Sequence, residues 1–327
     1  MDKEMWTIKK ASARFYEENK DLFSLRADEP MHCHTSFRVG GAADLYAAPQ
    51  SLKEMQDLLS KAYSANIPVT VLGGGTNMLV RDEGIGGLVV STLGLNQGLC
   101  IEAVNTREYF LTAPAGMALS KAARAAMKNS LEGLVFAAGI PGTVGGAVMM
   151  NAGTGNCSMS DILHHVDVMH PKGRIETIPR KDIGFSIRKT DFTGIDCGKN
   201  NLSIIVRAAF LLKKGEKQRL ETQWQTFLTR RKRTQPGFFP SAGCFFKNLP
   251  DGRAAGELID RAGLKGRRIG DAVVSDVHAN FIINMGNASS EDILKLKETV
   301  IETVFQLFSV KLETEVKIEG RQPGTTQ

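Results

Sequence analysis

The sequence lacks the residues that would tie it together covalently. Its five cysteines (Cys33, Cys100, Cys157, Cys197 and Cys244) are scattered over 327 residues, odd in number and free of any CxxC pair. That excludes a disulfide framework and a structural zinc site, nominates no metal ligands, and predicts a reducing, cytoplasmic setting. The first ten residues, MDKEMWTIKK, contain no apolar core of the kind a secretory signal needs. Long apolar runs are missing too. The one extended uncharged stretch, residues 133–160, is broken by seven glycines and Pro141, so no membrane association is expected. There is no internal repeat, no low-complexity tract, no GK[ST] of a P-loop and no GxGxxG in register with a helix. Acidic residues fall slightly short of basic ones, 35 against 41, a mild excess that suits anionic ligands at least as well as nucleic acid. With 42% hydrophobic and 23% charged residues, the chain is globular, and its length suggests two or three domains.

What is present in excess is glycine. The 33 glycines concentrate at Gly73, Gly74 and Gly75 and again between Gly133 and Gly155. The first cluster follows the β-branched run IPVTVL at 67–72, where a backbone leaving a strand can approach a phosphate and donate N–H groups to it. The second reads Gly139-Ile140-Pro141-Gly142-Thr143-Val144-Gly145-Gly146. Either loop alone is equally well a tight turn. Together, in neither Rossmann nor P-loop form, they suggest a different dinucleotide cradle, for a ligand larger than one nucleotide.

Around them the pattern predicts strands at 87–92 and 109–116, an Ala-rich helix at 117–129, and a hairpin over 164–178 turning at Pro171-Lys172-Gly173. A strand at 202–212 ends this region. A polar helical connector, 213–233, is then stopped by Pro236, and the main domain boundary is placed there. Beyond it come a helix at 254–262 and a strand at 280–284. Ser289 and Asp292 open a capped helix whose Ile293, Leu296, Val300, Val304 and Leu307 stripe is core, and a closing strand is predicted at 311–318.

The strings VLGGGTNMLV, GIPGTVGGAVMMNAGTG and HTSFRVGGAAD closely resemble the FAD-binding domain of the UDP-N-acetylenolpyruvoylglucosamine reductases. RTQP, PSAGCFFKN, AGELIDRAGLKG, VHANFIIN and LETEV follow in the family's order, so the resemblance covers about residues 31–320. The glycine loops are shared with other flavoproteins of that superfamily; the C-terminal strings belong to the reductases. The resemblance implies an α+β fold: a two-part FAD-binding domain of the PCMH type at 31–213, then a C-terminal α+β substrate-binding domain at 214–320. A helical extension at 1–30 precedes them and a tail at 321–327 follows. It implies a cytoplasmic, monomeric enzyme with non-covalent FAD and NADPH as hydride donor. Its reaction would reduce UDP-N-acetylglucosamine enolpyruvate to UDP-N-acetylmuramate in peptidoglycan synthesis, with hydride going to C3 and a proton to C2.

Hydride addition to an unsaturated carboxylate builds negative charge, so it needs a cationic clamp, a proton donor and a group to hold the enol. By resemblance the clamp is Arg188, in Ile187-Arg188-Lys189-Thr190, where Ile187 stands for the family's usual Tyr and Thr190 for its Ser. Cys244 takes the donor position, often Ser in relatives; whether it rests as thiol or thiolate depends on its surroundings. Glu315 is the third group. On a strand Glu313 would share its face, so spacing alone leaves both open and only the resemblance favours Glu315. Gly73, Gly74, Gly75, Thr76 and Asn77 would hold FAD, with Gly139, Gly142, Thr143, Gly145 and Gly146 as a second wall. Lys247 and Asn248, then Arg233, Gln235 and Asn280, would take the UDP-sugar.

Two other readings compete. An oxidase or dehydrogenase on the same FAD scaffold leaves the C-terminal strings unexplained, and His164 and His165 lie in a strand-like stretch rather than in a glycine loop where flavin could be tethered. A nucleic-acid module could use Arg230-Arg231-Lys232-Arg233, but four cations at a helix C-terminus also complement its dipole, and no RNP-like aromatic string accompanies them.

Overall fold

The computed structural model describes residues 3–155, 157–192, 204–237 and 239–323; Cys197 and the first two residues of the strand expected at 202–212 lie outside them. Three modules follow along the chain. The first runs α1 (Lys3–Asn19), β1 (Arg26–Pro30), β2 (Ala42–Ala47), α2 (Leu52–Ser64), β3 (Val69–Leu72), β4 (Met78–Val80) and β5 (Ile85–Ser91). Its sheet order is β1-β2-β5-β3, antiparallel at β1–β2 and parallel elsewhere. Ser51 caps α2 by accepting from the Glu54 N–H, and the stripe Met55, Leu58, Leu59, Ala62 packs on Leu45, Ala47, Leu88 and Val90. Phe15 of α1 joins that core.

The second module begins with β6 (Cys100–Ala103), β7 (Glu108–Pro114), α3 (Leu119–Lys128), β8 (Leu131–Glu132) and α4 (Val144–Met149). It continues through β9 (Gly153–Thr154), β10 (Cys157–Ser158), α5 (Met159–Ile162), β11 (Leu163–Met169) and β12 (Ile175–Pro179). The small hairpin β13 (Gly184–Ser186) and β14 (Lys189–Asp191) precedes the long strand β15 (Ile204–Lys214) and helix α6 (Lys217–Thr234). An antiparallel sheet in the order β12-β11-β15-β7-β6 is covered by α3 and α6, whose Leu119, Ala122, Ala126, Leu220 and Trp224 share a core with Leu111, Val166 and Phe210. Both the Ala-rich helix and the hairpin at Pro171-Lys172-Gly173 form where the pattern predicts them, with Gly173 supplying φ +82°.

The third module holds α7 (Ala255–Arg261), β16 (Arg268–Ile269), β17 (Ala272–Val274), β18 (Ile282–Asn284), α8 (Ser290–Phe308) and β19 (Lys317–Glu319). The capping box at Ser289 and Asp292 is formed, and Ile293, Leu296, Val300 and Val304 are buried. Leu307 is not core: it is 58% exposed, because the apolar stripe leaves the interface in the last turn. The closing strand is also shorter than expected. Residues 311–316 form only an isolated antiparallel bridge, Thr314 to Phe246, with Lys247 N–H donating to Glu313 O and Glu315 N–H to Phe245 O, and the regular strand is β19, which pairs parallel to β4. The chain's last strand thus returns to the first module.

Polar locks fasten the modules. The Asp82 carboxylate accepts from the Ser290 and Glu291 N–H groups at the start of α8, while Ser290 Oγ accepts from the Asp82 N–H. Arg321 pairs with buried Asp44 and also donates to Glu83 O. Among the described residues no helix is long and apolar enough to cross a membrane.

Candidate active site

The two glycine loops lie against each other. A Cβ on Gly73 would stand 2.7 Å from Thr143 Oγ1, one on Gly74 3.0 Å from Gly142 Cα, and one on Gly142 2.8 Å from Thr76 Oγ1. Gly75, at φ +61°, would drive a Cβ to 2.0 Å from His34 O. The Thr143 and Thr76 hydroxyls already stand between these loops, and no further side chain fits without displacing them. Among the described residues no protein acceptor takes the N–H groups of Gly73, Gly74, Gly75, Thr76 or Asn77, so consecutive donors are left for a ligand. Unpaired donors on a glycine-rich wall fit the diphosphate of a dinucleotide cofactor. The second loop contributes differently. The Gly145 N–H is spent on Ala115 O and the Gly146 N–H on Thr143 Oγ1, so these glycines offer close approach rather than donors. Gly139, at φ +74°, makes room for the Arg231 stem, which passes 2.9 Å from where its Cβ would be.

Arg188 sits in the two-residue turn between β13 and β14, with φ +58°, and Ile187 beside it is 62% exposed. A non-glycine residue in the left-handed region is a strained feature that clusters at functional sites. Its Nη1 donates to Gly153 O at 3.2 Å, and its Nε pairs with Glu315 Oε1 at 3.1 Å. Thr190 anchors the returning strand by donating to Val148 O.

Cys244 follows Gly243 (φ +80°) on the loop entering the third module. Asn280 holds that loop: its Oδ1 accepts from the Phe246 N–H, its Nδ2 donates to Phe246 O, and its carbonyl accepts from the Phe245 N–H. Ser36 Oγ donates to Ser241 O at 2.6 Å, tying the loop to the segment beneath Gly75. Glu315 is positioned by its N–H on Phe245 O and by Asn77 Nδ2, which donates to its carbonyl at 3.1 Å. Arg188, Cys244 and Glu315, far apart in sequence, therefore meet in one place beside the glycine loops.

The structure separates the two acids that spacing left open. Glu315 is largely buried and faces Arg188, whereas the Glu313 side chain is 77% exposed and pairs with Lys247 Nζ at 3.4 Å. The strict alternation of a regular strand does not hold in this irregular segment. Burial pushes the Glu315 carboxyl upward, opposed by Arg188 and Lys247. Burial, and next the Glu315 charge, push the Cys244 thiol up to about 11 against the pull of Arg188 and Arg231. Cys244 therefore rests as a thiol at neutral pH, in the protonation state a donor requires.

The residues proposed for substrate fall into two groups. Lys247 is half-buried next to this cluster. Gln235 accepts from Arg231 Nη1 at 3.3 Å and so orients it. Asn248 instead accepts from the Ala255 N–H at the start of α7, and Asn280 is buried with both ends of its amide on backbone. Arg233 lines a surface depression with Met127, Trp224 and Arg230. The cation turned inward is Arg231, which sequence reasoning passed over: its Nη2 donates to Thr154 Oγ1 at 2.9 Å, its Nε is buried without an acceptor, and its charge acts on Cys244. The signal was available in the helix phase. Leu220, Trp224, Phe227 and Leu228 mark the buried face of α6, and Arg231 extends it by one turn while Arg233 points away.

A family model for an FAD binding domain matches residues 43–179, and one for the C-terminal domain of UDP-N-acetylenolpyruvoylglucosamine reductase matches residues 235–319. The crystal structure of the Thermus caldophilus UDP-N-acetylenolpyruvylglucosamine reductase superposes with a TM-score of 0.73 at 32% identity, covering 90% of this chain and 98% of that one. The Clostridium novyi reductase is 40% identical over 89% of this chain and 91% of its own length. The reductase of Desulfosudis oleivorans is 42% identical over 90% of this chain and 94% of its own length. With both of its halves matched and the likeness running nearly end to end, the chain belongs to the UDP-N-acetylenolpyruvoylglucosamine reductase family.

Proposed function

We propose that the protein reduces the enolpyruvyl ether of UDP-N-acetylglucosamine to UDP-N-acetylmuramate, with FAD as cofactor and NADPH as the source of hydride, in peptidoglycan synthesis. One observation carries the assignment of roles: Arg188 and Glu315 pair at 3.1 Å beside the glycine loops, and both lie close enough to Cys244 for their charges to act on its thiol. FAD, when bound, supplies hydride transfer from NADPH to the substrate. Everything else falls to side chains. The Gly73–Asn77 donors and the Gly142–Thr143 wall hold the cofactor.

The Arg188 guanidinium, its fork matched to two oxygens, takes the substrate carboxylate and stabilises the charge that builds on it. To do so it exchanges Glu315 for the substrate, which leaves a buried carboxyl without its partner and favours its protonated form. Cys244 Sγ gives its proton to C2, and the resulting thiolate is stabilised by Arg188 and Arg231 until solvent reprotonates it. Lys247 and Arg231 meet the anionic part of the UDP-sugar. The exposed cysteines Cys33, Cys100 and Cys157, all free, suit a cytoplasmic enzyme, and we take the working unit to be a monomer.

An anaerobic spectrum tests the reading in one cuvette. The flavin band should bleach on adding NADPH and return on adding UDP-N-acetylglucosamine enolpyruvate. A flavin that stays bleached would transfer the case to an oxidase on the same scaffold. A colourless protein that cannot be reconstituted with FAD would end the proposal.

A further inference from the structure

Asn151 stands beside the turn end of the hairpin that presents Arg188, and its backbone and side chain are both unusual. Its φ is +39°, in the left-handed region that glycine enters freely and asparagine tolerates. A glycine would meet that backbone requirement with less strain, so the side chain has a separate use. Its Nδ2 donates to Ser186 O at 3.2 Å and its Oδ1 accepts from the Ser160 N–H at 3.0 Å.

Ser160 is held from the other side, where Arg180 Nε donates to its carbonyl at 2.9 Å, and the Arg180 guanidinium lies 4.5 Å from the centre of the Phe185 ring. Ser186 is the last residue before the turn, and Arg188 at its far corner reaches back to Gly153 O, two residues beyond Asn151. The contacts close a circuit: Asn151 grips the hairpin where it enters its turn, and the hairpin's arginine grips the strand that Asn151 leads into.

We propose that Asn151 is a positioning residue for Arg188. By fixing the Ser186 carbonyl it sets the turn's orientation, and with it the direction in which the Arg188 side chain leaves the backbone. A guanidinium that must meet two carboxylate oxygens tolerates little misplacement, and errors of about 1 Å cost on the order of a hundredfold in rate. This inference rests on Arg188 as the carboxylate clamp, so its test includes Arg188 itself.

Two substitutions divide the contributions. Asn151→Gly accepts the backbone angle and loses both hydrogen bonds. Asn151→Asp keeps the acceptor for Ser160 and sets a carboxylate oxygen against Ser186 O. Both should retain FAD and bleach with NADPH at rates within about twofold of the parent. Return of the flavin colour with UDP-N-acetylglucosamine enolpyruvate should slow by about tenfold or more. Calorimetric binding of that substrate to the oxidised protein should weaken by about tenfold. In an Arg188→Lys background, Asn151→Gly should add little, because the geometry it protects is already lost.

Equal slowing of both half-reactions, losses that multiply with Arg188→Lys, or loss of FAD from both variants would each overturn the positioning role. A crippled Arg188→Lys beside an unaffected Asn151→Gly would overturn that role alone. An Arg188→Lys protein with parental flavin return would remove the clamp itself, and the proposal with it.

Discussion

Replacing Glu315 by glutamine should make Cys244 a more reactive thiol, although catalysis suffers. Burial and the Glu315 charge both raise the thiol, to about 11, while Arg188 and Arg231 pull it down. At pH 8 a thiol with that midpoint is roughly one part in a thousand thiolate. Glu315→Gln removes the nearby negative charge and frees Arg188 from its 3.1 Å partner, so both changes favour the thiolate. The loss of one close charge lowers such a midpoint by about one to three pH units, each worth about 1.4 kcal/mol. Burial is the first cause and persists, so the lower end of that range is expected.

The thiolate fraction at pH 8, and the rate of alkylation by iodoacetamide, should then rise about tenfold. Quantitative mass spectrometry of the Cys244 peptide across pH separates it from the exposed Cys33, Cys100 and Cys157, which serve as internal controls. An unchanged or raised midpoint at Cys244 would refute the electrostatic account of the site.

Cys244→Ala should bind FAD and be reduced by NADPH yet form no product, whereas Cys244→Ser should keep measurable turnover; normal turnover in the alanine protein would remove Cys244 from the mechanism. Because burial raises Glu315, acidification should protonate it above the ordinary carboxylate range and dissolve its pair with Arg188. The corresponding acid limb in substrate affinity should vanish in Glu315→Gln, and its persistence there would assign the limb to another group. Gly142→Ala, at φ +103° with Thr76 Oγ1 2.8 Å from the new Cβ, should lower FAD retention, measured by flavin content after gel filtration. Arg321→Ala leaves the buried Asp44 without its counter-ion and should cost about 3–5 kcal/mol in denaturant unfolding; a loss under about 1 kcal/mol would class the pair with weak surface bridges.

Glycine made the proposed cofactor cradle legible because a Cβ added at Gly74 or Gly75 would stand 3.0 Å or 2.0 Å from the backbone of another segment, and that requirement is written in residue type. The residues proposed as clamp, donor and third group were legible through their strings, but the different settings of Glu313 and Glu315 were not. Those settings depend on an irregular segment stretched between Phe245 and Asn77, which local pattern reads as an ordinary strand. Arg231 was hidden in a run of four cations whose members differ only in helix phase. Asn280 and Asn248 are nominated for the UDP-sugar only by the resemblance of the strings that hold them. In the structure they satisfy backbone groups, a use that depends on partners brought close only by folding. Asn77 is similar: its backbone belongs to the cofactor loop, but its amide reaches across to Glu315.

The parallel pairing of β19 with β4 bears on how the molecule is made. Every donor of the cofactor loops, the hairpin of Arg188 and the Cys244 loop emerge from the ribosome before the stretch that seats Glu315. A nascent chain therefore carries a nearly complete cradle with no closing strand, and its last pairing spans most of the chain's length. Loop closure of that length costs little more free energy than a shorter one, but contacts so distant in sequence form late. A flavin that bound the closed form more tightly than the open one would draw the equilibrium toward it. The cofactor would then act also as a folding ligand, and in cells short of flavin the amount of this protein would fall along with its activity.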